Sequence, residues 1–102
     1  MTRLTLELQN DVAAKFNNLM QVFTSKELLF EKFFDYHVKK LKREIAAMQQ
    51  DLDTYERLYN KKSSEFYSEF EQGKLDDSED FILWSGIYEM QMNCKRKLQK
   101  LL

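Results

Sequence analysis

The chain has 102 residues, of which 43% are hydrophobic and 32% charged, with a formal net charge of −1 and a single cysteine. This length predicts one domain, or a small domain with an appendage, and two glycines with no proline favour an almost wholly helical chain. A single cysteine excludes an internal disulfide and is typical of a reducing cytoplasm, and no run resembles a signal peptide or a membrane span. We therefore expect a cytoplasmic protein with no membrane partner.

The charge is distributed unevenly along the chain. Residues 1–44 hold eight lysines and arginines against six acids, whereas residues 45–102 hold eight against eleven. A mildly basic first half and an acidic second half fit a nucleic-acid module joined to a protein-binding module. An ordinary solvated surface explains the same counts equally well.

The first nine residues alternate between apolar and polar side chains. Leucines point one way and polar residues the other: Leu4, Leu6 and Leu8 against Arg3, Thr5 and Glu7. Period-two alternation predicts a strand buried on one face, and no other stretch predicts one. A lone strand must pair with a strand of another molecule, most simply a second copy. The leucines would then form the core of a homodimer whose two-stranded ribbon could enter the DNA major groove.

Two helices follow this predicted strand. Asn10-Asp11 can cap the first, along which apolar residues recur at helical spacing, and Thr24-Ser-Lys-Glu27 fits a capping box that starts the second. A strand, a short helix, a hydroxyl-capped turn and a second helix in residues 1–43 resemble the ribbon-helix-helix family.

The ribbon-helix-helix resemblance implies a dimer that binds operator DNA and regulates transcription. It places Arg3, Thr5 and Glu7 toward the bases, and Thr24, Ser25 and Lys26 at a helix start that holds a phosphate. The chain departs from the family in lacking a glycine between the helices. The carboxylate of Glu7 also opposes contact with DNA, so a ribbon that serves dimerisation alone remains the alternative.

The second helix continues far beyond residue 43. A heptad seam, typical of a coiled coil, runs unbroken from Phe34 to Tyr59, and Asn60-Lys-Lys-Ser-Ser64 predicts a break. A short third helix ends at Gly73, and Asp77 or Ser78 caps a last helix with a seam from Trp84 to Leu101.

The two seams match in length and run in opposite directions. They permit an antiparallel hairpin in residues 44–102 that pairs Tyr59 with Trp84 at one end and Leu41 with Leu101 at the other. The alternative leaves both seams open for a partner protein.

Residues 63–89 carry a further set of motifs: Ser-Ser-Glu-x-Phe, Gly-x-Leu, an acidic run and Trp-x-x-x-Tyr-Glu. This order is similar to a C-terminal pattern in small prokaryotic proteins of the toxin–antitoxin type. The resemblance implies a region that neutralises a partner toxin. We expect four aromatic residues to anchor the toxin: Phe66, Phe70, Trp84 and Tyr88. Packing of the same residues inside the hairpin is an equally good interpretation.

No pattern predicts catalysis, a metal or a cofactor. His37 lies among apolar residues and Cys94 on the last seam, so both fit packing roles better than chemical ones. The sequence therefore favours a homodimeric antitoxin that binds operator DNA and a toxin. The alternative is a structural coiled-coil adaptor that does not bind DNA, and salt-dependent DNA binding would separate the two.

Overall fold

The computed structural model describes every residue from 1 to 102 and contains four α-helices. They are α1 (Asn10–Val22), α2 (Lys26–Tyr59), α3 (Ser63–Glu71) and α4 (Glu79–Leu101). By its internal contacts the chain divides into two compact units, residues 1–35 and residues 36–102, and the division falls within α2. No helix is both long enough and apolar enough to cross a bilayer.

The predicted N-terminal strand is absent, so the ribbon-helix-helix fold class is wrong. Residues 1–9 have no regular secondary structure, and Leu4, Leu6 and Leu8 are exposed. Alternation describes how a strand would bury one face, but a strand forms only where a neighbour takes up its backbone hydrogen bonds. Everything after residue 9 is helix or connecting loop, so the chain supplies no neighbouring strand.

In residues 1–35, two helices meet through a sharp turn. Gln9 precedes α1 without a side-chain hydrogen bond, so Asn10 lies inside the helix rather than capping it. At the start of α2 the cap is Ser25, not Thr24, because Ser25 Oγ accepts a hydrogen bond from the Leu28 N–H at 3.0 Å. The Phe16 and Phe30 rings lie 6.1 Å apart, and Leu29 is the buried residue of this unit.

In residues 36–102, the chain breaks where the sequence predicts. Helix α2 ends at Tyr59, and Asn60 adopts a left-handed φ of 50° that asparagine tolerates well. Gly73, at φ 73°, follows α3. Ser78 then caps α4, its side chain accepting a hydrogen bond from the Phe81 N–H. The predicted helix ends at Tyr59 and Gly73 and the Ser78 cap are therefore confirmed.

The core of this second unit lies where the last part of α2, α3 and α4 meet. Leu52, Phe66 and Trp84 are buried there. Seven further hydrophobic side chains pack around them: Tyr55, Tyr67, Phe70, Leu75, Phe81, Ile87 and Tyr88. Each helix supplies one buried member, so the core depends on all three helices.

Helices α2 and α4 run antiparallel along this core. The Trp84 ring lies 5.7 Å from that of Tyr59, and further along α4 Gln91 reaches Gln49 and Ile45. Residues further along α4 therefore contact residues earlier in α2, as in an antiparallel pair. The predicted pairing of Tyr59 with Trp84 is confirmed. The contact nearest the other end is between Cys94 Sγ and Glu44 Oε2, at 3.8 Å.

Candidate protein-binding surfaces

The aromatic residues predicted to anchor a partner form the interior of the second unit. Phe66 and Trp84 are 0% exposed, and their rings stack with centroids 3.7 Å apart and planes 1° apart. Phe70 and Tyr88 are half-buried, Phe70 stacked on Phe66 and Tyr88 against Tyr67. A partner could reach the indole only after the hairpin opened, so the geometry favours packing for this set.

A polar relay joins the three helices at the edge of the aromatic core. The indole N–H of Trp84 donates to Ser63 Oγ at 2.9 Å. Both the Oγ and the backbone N–H of Ser63 donate to Glu56 Oε2, at 2.7 and 2.9 Å. Since Ser63 is the first residue of α3, the carboxylate also satisfies a free N–H at the positive end of that helix.

A second buried polar group fixes the pairing of α2 with α4. Gln91 is almost fully buried, and its Nε2 donates to Ile45 O at 3.1 Å and to Gln49 Oε1 at 3.0 Å. Gln49 in turn donates to Asp53 at 2.9 Å. Because these bonds form in one alignment of the helices, they specify the register of the hairpin.

The hydroxyl of Tyr59 closes the other end of the hairpin by donating to Asp80 at 2.5 Å. This hydrogen bond is the main cause that raises the pKa of the Tyr59 hydroxyl above its ordinary value of 10.0. Burial raises the pKa of Tyr55 and of Tyr67 in the same direction. Three tyrosines therefore keep their protons more tightly in the folded hairpin.

The residues predicted to read DNA lack the element that would align them. Arg3, Thr5 and Glu7 are exposed in a segment without regular structure, so no strand presents them on one face. Ser25 is occupied as the cap of α2, and Thr24 and Lys26 beside it are exposed. The helix start exists, but the ribbon that would place it against DNA does not.

The first unit exposes much of its apolar side-chain surface. In α1, Val12, Phe16 and Leu19 recur at spacings of four and three, which defines one helix face, and Phe23 follows as the extended C-cap residue. Val12 and Leu19 remain exposed and the two phenylalanines only half-buried. Further exposed apolar residues lie at the end of α1 and along the first part of α2: Val22, Leu28, Phe33 and Phe34.

Charge in the second unit separates toward its two ends. Residues 36–50 and 90–102 hold eight lysines and arginines and one acid, a balance of +7. Residues 51–89 hold four lysines and arginines and eleven acids, a balance of −7. Because α2 and α4 are antiparallel, the two basic stretches share one end of the hairpin, and α3 lies at the acidic end. Counting charges separately in residues 1–44 and 45–102 does not show this polarity, because the acidic start and the basic end of α4 both fall in the second count.

Sequence reasoning did not single out Glu56, Ser63 or Gln91 for these roles. Glu56 and Ser63 are seven residues apart across the helix break, so their contact depends on the path of the turn. Gln91 did carry a signal, as a polar residue on an otherwise mostly apolar seam. His37 packs edge-on against Tyr36, with ring centroids 5.3 Å apart, and Cys94 is a half-buried free thiol.

No protein-family model, curated protein or solved structure matches this chain.

Proposed function

We propose that this chain acts by binding another protein, as a non-catalytic helical protein of the antitoxin type. The observation that carries this proposal is the exposed apolar surface of residues 1–35. In that unit Leu29 is the buried hydrophobic residue, while apolar side chains on both helices, such as Leu19 and Phe33, are exposed to solvent. Burial of apolar surface is favourable by about 25 cal/mol of free energy per Å². A partner that covers this surface would therefore gain binding affinity from its burial.

The second unit supplies a scaffold in this proposal. Its aromatic core, the Ser63 relay and the Gln91 bonds are complete within the chain, so the hairpin needs no partner to satisfy them. The motif residues that resemble toxin–antitoxin proteins are largely those that build this hairpin, including Ser63, Phe66 and Trp84. The resemblance therefore supports a shared scaffold, and the partner we propose is a toxin protein.

Operator binding is not included, because the predicted contacts of Arg3, Thr5 and Glu7 rested on a strand that is absent. An adaptor that joins other proteins without contacting DNA is the second candidate. The same exposed residues of α1 support it, since they do not depend on the identity of the partner. The two candidates differ in whether the partner is a toxin.

The test uses the full chain and the purified product of the neighbouring reading frame. Leu19→Glu places a charge on the α1 face at a side chain that is 45% exposed. We expect this variant to bind on the order of a hundredfold more weakly by titration calorimetry, the loss of an interface anchor. Its helix content by circular dichroism should be unchanged, because a solvent-facing charge costs little.

Leu58→Glu is the matched control. Leu58 is 65% exposed on α2 in the second unit, so this variant adds the same charge outside the proposed surface and should bind as the wild type does. Equal affinity of all three proteins would overturn the proposed surface. If the product of the neighbouring reading frame is not toxic, and Leu19→Glu weakens its binding as expected, the adaptor candidate is favoured.

A further inference from the structure

Helix α4 has an outward face that no element of the second unit covers. Trp84, Tyr88 and Gln91 point toward the core. At 100° per residue, the opposite side carries Ile82, Gly86, Met90, Asn93 and Lys97. Ile82 and Met90 are 53% and 54% exposed, and Gly86 between them is exposed as well. An apolar pair thus brackets a glycine at the middle of a solvent-facing strip.

The fold of the single chain does not require Gly86. Its backbone is helical without a positive φ, and a Cβ built there meets nothing within 4 Å. Glycine is a poor helix former, and any other residue except proline would serve the helix better. What a glycine offers on an exposed helix face is close approach by another backbone. Gly73 differs, since its φ of 73° explains it.

Charge along α4 complements itself when the helix is reversed. Glu79 is its first residue and Asp76 and Asp77 lie in the loop just before it, whereas Arg96, Lys97 and Lys100 lie in its last two turns. The helix dipole favours this order within α4. It gives no reason for the neighbouring stretch of α2 to add three exposed cations at the same end: Lys40, Lys42 and Arg43.

We propose that the outward face of α4 binds α4 of a second copy of this chain, antiparallel, with the two-fold axis at Gly86. Ile82 and Met90 are each four residues from that axis, so Ile82 of one copy meets Met90 of the other, twice. Arg96 lies beyond the axis in one direction and Glu79, preceded by Asp76 and Asp77, in the other, so the basic end of each hairpin lies beside the acidic end of its neighbour. The glycines at the axis let the helices approach closely.

A second copy fits this face better than a nucleic acid does. A phosphate backbone would use the basic end alone. It would leave the acidic end, the apolar pair and Gly86 without a role. An isologous contact uses one patch twice, so charges pair across its axis when the patch carries both signs. The strip on α4 meets that requirement.

The first test is Gly86→Leu in the full chain. On the isolated chain the new side chain meets open space, so we expect the melting temperature at dilute concentration to rise by about 5 °C. At the proposed axis the two leucines would collide, so self-association by sedimentation equilibrium should weaken by at least about tenfold. Stability and association therefore move in opposite directions.

Gln50→Leu is the control, because Gln50 is exposed on the far side of α2 from α4. It adds the same side chain off the face and should leave association unchanged. If Gly86→Leu associates as strongly as the wild type, the proposal is overturned. It is also overturned if the wild type is a monomer up to about 1 mM protein, a range that covers weak interfaces.

The charge arrangement has its own test. Lys97→Glu should weaken association, and adding Asp77→Lys should restore it, because opposite charges again face each other across the axis. Raising the salt from about 0.1 M to 1 M shortens the screening length from about 10 Å to 3 Å and should weaken the wild-type dimer. Failure of the double variant to recover overturns the antiparallel arrangement. The proposal is also overturned if the wild-type protein stays monomeric and binds a DNA duplex with an affinity that Gly86→Leu does not change.

Discussion

At the scale of single residues, Ser63 joins more of the second unit than its size suggests. Its hydroxyl accepts from the Trp84 indole and donates to Glu56, so one oxygen connects α4, α3 and α2. The serine is 4% exposed and Trp84 is 0% exposed, which leaves water little access to the serine hydroxyl or to the indole. A buried relay of this kind is stabilising only while every donor keeps its acceptor.

Ser63→Ala removes that oxygen and leaves the indole N–H of Trp84 buried without an acceptor. We expect the free energy of unfolding to fall by about 1–3 kcal/mol, measured by urea denaturation. The matched control is Ser64→Ala, at the exposed neighbouring position, which should change stability by no more than about 0.5 kcal/mol. Equal effects of the two variants would show that the relay contributes nothing measurable.

At the scale of elements, the end of α2 is tied to the start of α4 by the hydrogen bond from Tyr59 to Asp80. This bond requires the protonated phenol, and it raises the pKa of Tyr59 above 10.0. Burial raises the pKa of Tyr55 and Tyr67 likewise. The unfolded chain therefore ionises these phenols first as the pH rises.

The stability that comes from these raised pKa values is fully present below pH 10. It is lost as the pH rises from the unfolded pKa values through the folded ones, because over this range the phenols ionise more readily in the unfolded chain. We expect the urea midpoint to begin to fall near pH 10, the ordinary tyrosine pKa, and to go on falling as the pH rises through the raised pKa values of the folded chain. Tyr59→Phe should show a smaller fall over the same range, since one of the three phenols is gone. A fall of equal size would mean that Tyr59 does not contribute.

Helical periodicity predicted most of the elements, because the signal for a helix is local. The seams that end at Tyr59 and begin at Trp84 lie on the faces of α2 and α4 that meet. Gly73 and Ser78 mark the end of α3 and the start of α4, and both signals depend only on neighbouring residues. The cap of α2 was displaced by one residue, since Thr24 and Ser25 both carry a hydroxyl and the turn decides between them. The strand at Leu4–Leu8 failed because pairing is a non-local property that alternation alone does not contain.

The candidate site was less predictable than the fold, for a related reason. Trp84 and Phe66 were expected to anchor a partner because large aromatics dominate interfaces, but the same property makes them good core residues. Only the return of α4 against α2 decides that Trp84 is buried. Gly86 carried no signal beyond its identity until the outward direction of its helix face was known.

At the scale of the whole molecule, the two units differ in how much they bury. Residues 36–102 enclose Leu52, Phe66 and Trp84, whereas residues 1–35 enclose Leu29. Local stability follows buried contacts, so the amides of α1 should exchange with solvent faster than those of the hairpin core. If residues 1–35 exchange faster, the binding surface proposed for them would adapt to a partner at little cost to the scaffold.

Leu52→Ala tests this division. Leu52 is 1% exposed beside Phe66 and Trp84, so truncation leaves a cavity and should cost about 2–5 kcal/mol. We expect hydrogen exchange measured by mass spectrometry to accelerate in peptides covering 45–59 and 84–98 but not in those covering 10–22. Leu58→Ala, which truncates an exposed leucine of the same helix, should leave all three regions unchanged. Acceleration that reached α1 to the same extent would mean that the chain unfolds as one cooperative body, and that residues 1–35 do not open separately from the hairpin.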